Sequence, residues 1–311
     1  MRGATGQSRA LHERGQYILA AMYTLQLRDG RKLGYMRYGA PGGRPVFYFH
    51  GLPGSRCEGL LLNEPARALN VQVVAVDRPG YGLSSLQPGR QLRDWPQDVV
   101  ALADALGFDS FGVLGVSGGG PYVYVCAHAV PQRIAAAGVV CGLAPVTDRT
   151  LRQGMRWLAR SAFYLAQNRP LLLHVVYGQP LTWLARMHSS LPLRLLAQLN
   201  GEPDKSVMLR PDVLSALTQN IKESFRQGPR GAEHDLRVLA GEWGFQLQSI
   251  RKSVHIWHGD VDSVVPSIHS EYVHSCLRDA QLCIVSGEAH FSLPVMHRTE
   301  VLRTILQAGT W

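Results

Sequence analysis

Lysine is scarce in this chain. Only Lys32, Lys205, Lys222 and Lys252 occur among 32 basic residues, so the net charge of +9 is carried by arginine. Cysteine is sparse as well. Five residues with no CxxC pair are an odd number without zinc-ribbon spacing. That excludes a disulfide framework and a metal ribbon and predicts reduced thiols. No apolar run reaches a spanning length. The longest uncharged stretch, residues 110–132, holds Gly118-Gly119-Gly120-Pro121 in its middle, which a membrane helix does not accommodate. A short apolar run at residues 17–23 follows Arg2, Arg9 and Arg14. It is about half a spanning length and has no cleavage pattern. A cytoplasmic protein without stable membrane insertion is expected. No zinc-finger, RNP-like or helix-turn-helix pattern accompanies the basic charge, so no nucleic-acid partner is expected. Internal repeats and low-complexity tracts are absent too.

What is present is apolar. Hydrophobic residues make up 46% of 311 positions, enough for a large core. Residues 23–27 and 33–38 flank Arg28-Asp29-Gly30-Arg31 and read as a hairpin with an Asp-Gly turn. Four runs follow that are apolar except for Gln72, at residues 46–49, 71–76, 111–116 and 134–141. Such runs suit strands buried on both faces of a parallel sheet. Residues 94–106 place Val99, Leu102 and Leu106 at helical spacing and stop at Gly107. Two late strands are predicted at 254–257 and 282–285, and a closing helix at 292–306. Alternating strands and helices imply right-handed crossovers and a three-layer α/β architecture. Residues 148–252 break the pattern. They are rich in leucine, show no strand alternation, and are too long for a structureless loop. They are predicted to be an inserted helical cap. Residues 1–147 and 253–311 then form the core domain.

Gly115-Val116-Ser117-Gly118-Gly119 matches G-x-S-x-G. A buried strand precedes it and a helix-compatible segment, residues 122–129, follows. A nucleophile elbow needs this setting, because the serine sits on a tight turn where bulky neighbours would clash. A phosphate-binding turn is the competing reading. The spacing fits neither GxGxxG nor the P-loop, and no Lys follows, so no nucleotide cofactor is expected. A serine hydroxyl needs a base and an orienting acid. His290 follows the last predicted strand. Asp260 and Asp262 follow the strand before it. The chain order Ser, Asp, His suits a hydrolase of α/β architecture. His255 and His258 sit three apart on a strand, face opposite sides and make a poor metal pair.

These residues resemble the α/β-hydrolase superfamily, in the serine branch shared by esterases and proline iminopeptidases. The carrying motifs are His50-Gly51-Leu52-Pro53-Gly54, Asp77-Arg78-Pro79-Gly80-Tyr81-Gly82-Leu83-Ser84, the elbow, His258-Gly259-x-x-Asp262 and Ala289-His290-Phe291. They span residues 50–291. The resemblance implies a mostly parallel eight-stranded sheet with a helical cap. It implies Ser117 as nucleophile, His290 as base and Asp262 as acid, with Val265-Pro266 in register and Asp260 as the rival. Backbone N–H groups of Leu52 and Gly118 would form the oxyanion hole. His50 and Asp77 would hold turns and do no chemistry. Ala289 stands where many relatives have Gly. Leu52 and Gly118 depart from the iminopeptidase pattern, and Ser117 disfavours the Asp-nucleophile epoxide hydrolases and dehalogenases.

The expected activity is hydrolysis of a carboxylic ester through an acyl enzyme, without metal or cofactor. Thioesterase, aminopeptidase and carbon–carbon hydrolase activities are the alternatives on the same triad, and a non-catalytic ligand-binding fold is another. Cap residues such as Leu171, Trp183, Leu193 and Leu196 are expected to pack the helices or line an acyl pocket. Residues 149–252 hold 15 basic against 7 acidic side chains, and residues 149–201 hold seven Arg and no acid. That basic rim is either a solvated face or a lure for an anionic small-molecule ester.

Overall fold

A computed structural model describes residues 22–187 and 189–311. The arginines at the start of the chain and most of the 17–23 run lie outside the described residues. The hairpin is present as β1 (Met22–Gln26) and β2 (Lys32–Gly39), paired antiparallel. Asp29 closes its turn by accepting the Arg31 N–H at 3.0 Å, and Gly30 takes a φ of +85°.

The apolar runs become β3 (Arg44–Phe49), β4 (Val71–Val76), β5 (Phe111–Val116) and β6 (Ile134–Val140). The late runs become β7 (Val254–Gly259) and β8 (Ala280–Val285). One eight-stranded sheet results, in the order β1-β2-β4-β3-β5-β6-β7-β8. It is parallel from β4 to β8, and β2 joins β4 antiparallel.

Alternation along each strand divides the core into two layers. Phe47, Phe49, Val74, Val76 and Val113 face the helices Trp95–Leu106 and Gly120–Ala129. Val46, Tyr48, Val73, Ala75 and Leu114 face the helix Arg298–Ala308 on the other side. The expected closing helix is in fact two, Ser292–Met296 and Arg298–Ala308. The chain turns at His297, whose φ of −99° and ψ of 7° leave the helical range; its ring reaches Glu288 at 3.2 Å and Glu300 at 3.3 Å.

Between β6 and β7 the described chain is helical and loop, without a strand. Its ends are rooted in the main core. Leu151, Met155 and Phe163 near its start, and Leu239, Trp243 and Leu247 near its end, share one cluster with the sheet. Two buried ionic groups lock it further. Arg56, after β3, reaches Asp77 at 2.8 Å and Glu223 at 2.7 Å. Asp235 takes Arg78 at 2.8 Å and Arg90 at 2.7 Å. Burial opposes the Asp235 charge, but the two guanidinium groups prevail and hold it well below the usual carboxylate range. Removing one partner would strand a buried charge at a cost of about 3–5 kcal/mol. No described helix is long and apolar enough to cross a membrane. The five thiols are free; Cys57, Cys126 and Cys141 are buried, whereas Cys283 is exposed.

Candidate active site

Ser117 follows the last residue of β5 and precedes the buried helix Gly120–Ala129, with a φ of +53°. That left-handed backbone costs on the order of 1–3 kcal/mol for a non-glycine residue and projects the side chain off the turn. Glycines make the turn possible. A Cβ on Gly119 would lie 2.1 Å from the Phe49 carbonyl oxygen, and one on Gly115 2.5 Å from that of Gly119.

The structure brings three of the predicted side chains into one hydrogen-bonded line. The Ser117 hydroxyl lies 2.9 Å from His290 Nε2, and His290 Nδ1 lies 2.7 Å from Asp262 Oδ2. Asp262 Oδ1 accepts the N–H groups of Val264 and Val265, both at 2.9 Å. Burial works against the Asp262 charge, but His290 and the bond from His258 outweigh it and depress its pKa strongly. Burial likewise disfavours a charged His290, yet Asp262, then Asp204 and Glu58, raise its pKa above the ordinary value. Asp260 is not in this line. It is exposed and accepts the Ser286 hydroxyl at 3.0 Å and the Gly287 N–H at 2.7 Å.

Leu52 and Gly118 lie against each other beside Ser117. A Cβ on Gly118 would come within 2.7 Å of Leu52 Cβ and 3.4 Å of its nitrogen. His50 and Asp77 are structural. The His50 Nδ1–H donates to the Gly51 carbonyl at 2.8 Å, and Nε2 accepts the Arg78 N–H at 3.3 Å. Burial, reinforced by Arg78, keeps this imidazole neutral. Asp77 accepts the N–H groups of Arg56 at 2.7 Å and Leu83 at 2.9 Å.

Two buried carboxylates beside the site were not identified from the sequence. Glu58 accepts the Gly51 N–H at 3.1 Å, the Tyr48 hydroxyl at 2.7 Å and the Asn220 amide at 3.0 Å. It thereby fixes the loop that carries Leu52. Asp204 accepts the N–H groups of Phe291 and Ser292, both at 2.8 Å, and so holds the loop of His290. Their partners lie up to 162 residues away in the chain, so no local pattern points to them.

Cys141, His258 and Asp262 bring ligand atoms within 4.8 Å of one another. They do not suit a cation. His258 Nε2–H donates to the Val265 carbonyl at 2.7 Å and Nδ1 meets the Ser270 hydroxyl at 2.6 Å, so neither ring nitrogen is free. Burial and the Asp262 charge also push the Cys141 thiol well up.

Ser117 and His290 open on a cavity of about 400 Å³. Its lining is mostly apolar and draws on both parts of the chain, with Leu61 and Val295 from the sheet domain and Leu193, Leu196 and Leu217 from the helical segment. A smaller space of about 140 Å³, walled by Leu173, Phe225 and Leu236, shares Leu52, Tyr177 and Leu181 with it. Leu171, Leu172, Val175, Val176 and Trp183 neither line these spaces nor pack; they are exposed.

An eight-stranded α/β sheet with a serine elbow at the end of its central strand defines a hydrolase architecture. Residues 44–295 match the model of the alpha/beta hydrolase fold, and the chain belongs to that family. Among curated relatives, it is 27% identical over 249 residues to the "Dihydrolipoyllysine-residue acetyltransferase component of acetoin cleaving system" of Pseudomonas putida, covering 78% of this chain and 58% of that one. It is 34% identical over 128 residues to a "Non-heme chloroperoxidase" of Streptomyces lividans, covering 40% of this chain and 46% of the relative. The chain thus spans about half the length of these two relatives. Among solved structures, esterase RhEst1 from Rhodococcus sp. ECU1013 superposes with a TM-score of 0.66 at 21% identity, covering 93% of this chain and 99% of that one.

Proposed function

We propose that this hydrolase cleaves carboxylic esters with a partly apolar acyl group through a Ser117-His290-Asp262 triad. The observation that carries the reading is the hydrogen-bonded line of those three side chains, opening on an apolar cavity. Ser117 Oγ attacks the acyl carbonyl while His290 Nε2 takes its proton. The backbone N–H groups of Leu52 and Gly118 receive the oxyanion, each worth roughly 3 kcal/mol. His290 then protonates the leaving alcohol. Water, deprotonated by the same ring, releases the acid and restores Ser117. Asp262 holds the ring's orientation and stabilises its positive charge.

The helical segment from residue 148 to 252 acts as a cap that sets acyl specificity. Arg156 and Arg298 in the cavity lining suit an ester that also carries a carboxylate. An aminopeptidase would need an acid for the substrate amine. Glu58 is the acidic group in this lining among the described residues, and its oxygens are already taken by Tyr48, Gly51 and Asn220. The free thiols fit the cytoplasm, where we place the protein.

Hydrolysis of p-nitrophenyl esters of increasing chain length, beside thioesters and aminoacyl arylamides, tests the substrate class. Ser117→Ala is expected to abolish turnover and labelling by a fluorophosphonate. Full activity in that variant, or an unlabelled and inactive parent chain, would refute the reading.

A further inference from the structure

The leucine-rich helices carry a surface that the proposed chemistry does not use. Residues 170–186 run as one helix through Pro170–Leu173, a π-turn at His174–Gly178, and Gln179–Arg186, with helical backbone angles at both junctions. At 1.5 Å per residue it is about 25 Å long. No Lys, Arg, Asp or Glu occurs from residue 170 to 185, His174 turns to Glu233 at 2.8 Å, and Arg169 and Arg186 bracket the stretch. Its inner side is anchored, with Leu173, Gly178, Thr182 and Ala185 buried. Its outer side is apolar and bare. Leu171 is 84% exposed, Val175 65% and Trp183 66%, with Leu172 and Val176 beside them. The adjoining helix Trp157–Asn168 adds Trp157, 66% exposed, and Tyr164. A contiguous exposed apolar face of this kind marks an interaction surface.

The charge around it selects the partner. Residues 149–201 hold seven Arg and no acidic side chain. Of these, Arg160, Arg169 and Arg186 are exposed on or beside the two helices of the face, and none pairs with a carboxylate among the described residues. A second copy docked here would press two acid-free arginine surfaces together, which like-charge repulsion opposes. A surface rich in anionic headgroups, with apolar chains just beneath, satisfies both features. Leucine and tryptophan sink into the headgroup–acyl boundary while flanking arginines reach the phosphates.

We propose that this helical face docks reversibly on anionic phospholipid bilayers. The helix Pro170–Arg186 would lie in the interface plane. Tyr177 and Leu181 of the same run line the cavity at Ser117, so the docked helix would also form part of that cavity's wall. The proposal does not depend on the esterase reading, because adsorption is measured without turnover.

Sedimentation with vesicles tests it. The full chain is expected to bind phosphatidylcholine–phosphatidylglycerol vesicles about tenfold or more tightly than pure phosphatidylcholine, and to release as salt is raised. The double variant Leu172→Ser/Trp183→Ser should bind at least about tenfold more weakly, with an unchanged circular dichroism spectrum and thermal midpoint. In the unmodified chain, brominated lipids should quench tryptophan fluorescence. Equal binding by the parent and the double variant would overturn the proposal. So would no vesicle binding at low salt. A parent dimer that becomes monomeric in the double variant, without lipid binding, would make the face a self-interface instead. Polyglutamate binding as tight as that to the vesicles would assign it to an acidic protein.

Discussion

Asp262 stays charged while buried because three donors and His290 surround it, and that fixes what its replacement should do. Asp262→Asn keeps the shape but favours the wrong imidazole tautomer, so kcat should fall on the order of 10⁴-fold. Asp260→Asn, at an exposed turn, should leave kcat within about threefold on the same ester, well inside the range of surface substitutions. The reverse pattern would move the acid to Asp260. In the proposed mechanism His290, as base, sets the pH profile. His290 must be neutral to accept the Ser117 proton, and its pKa lies above the ordinary 6.5. The acid limb of kcat/KM should therefore fall at pH values above 6.5, not below; a limb near 5 would contradict the geometry. At this scale the sequence was legible where a motif is local. Ser117, His290 and Asp262 each sit in a short pattern after a strand. Glu58 and Asp204 do not, because their work is to bind N–H groups on distant loops.

The turn between β5 and the helix Gly120–Ala129 tolerates little. Gly119→Val would push side-chain atoms into the Phe49 carbonyl, which belongs to the neighbouring strand β3 and cannot retreat. Such overpacking should cost more than about 3 kcal/mol, read as a lower urea midpoint. Unchanged stability would show that the turn relaxes easily. Strands were legible here for a physical reason. β4 and β5 are buried along their whole length, so the largely apolar runs announce them. The late strands gave shorter signals, four residues each where six are paired: β7 is buried but carries His255 and His258, and the edge strand β8 is half exposed. In the helical segment leucine content was plain, but its direction was not. Composition alone cannot separate Leu196 in the cavity lining from Leu172 in solvent.

For the whole molecule, acid should be more damaging than the net charge suggests. Burial pushes the His269 pKa down to about 4, and His50 is held neutral as well. In the unfolded chain both would protonate near 6.5. Below that value the unfolded state binds more protons, so stability is full above 6.5 and is lost as pH falls towards 4. His269 alone would account for up to about 3 kcal/mol. Urea midpoints at about pH 7 and pH 4.5 check this, and equal midpoints would exclude it. The overall arrangement was legible through the order of strands and crossovers. The ionic groups joining residues 56, 78 and 90 to 223 and 235 were not, since they meet only after the sheet has formed. Those groups also divide the helical segment for purposes of recombination. Residues 149–201 make no buried ion pair to the strand-bearing part of the chain among the described residues; their one buried acid contact is His174 to Glu233 at 2.8 Å, so a foreign segment replacing them would need only a donor for Glu233. A graft extending through residues 223 and 235 would have to bring its own acids for Arg56, Arg78 and Arg90. If the segment sets acyl range as proposed, that range is open to exchange over its first half, while the second half is tied by charge to the strand-bearing part.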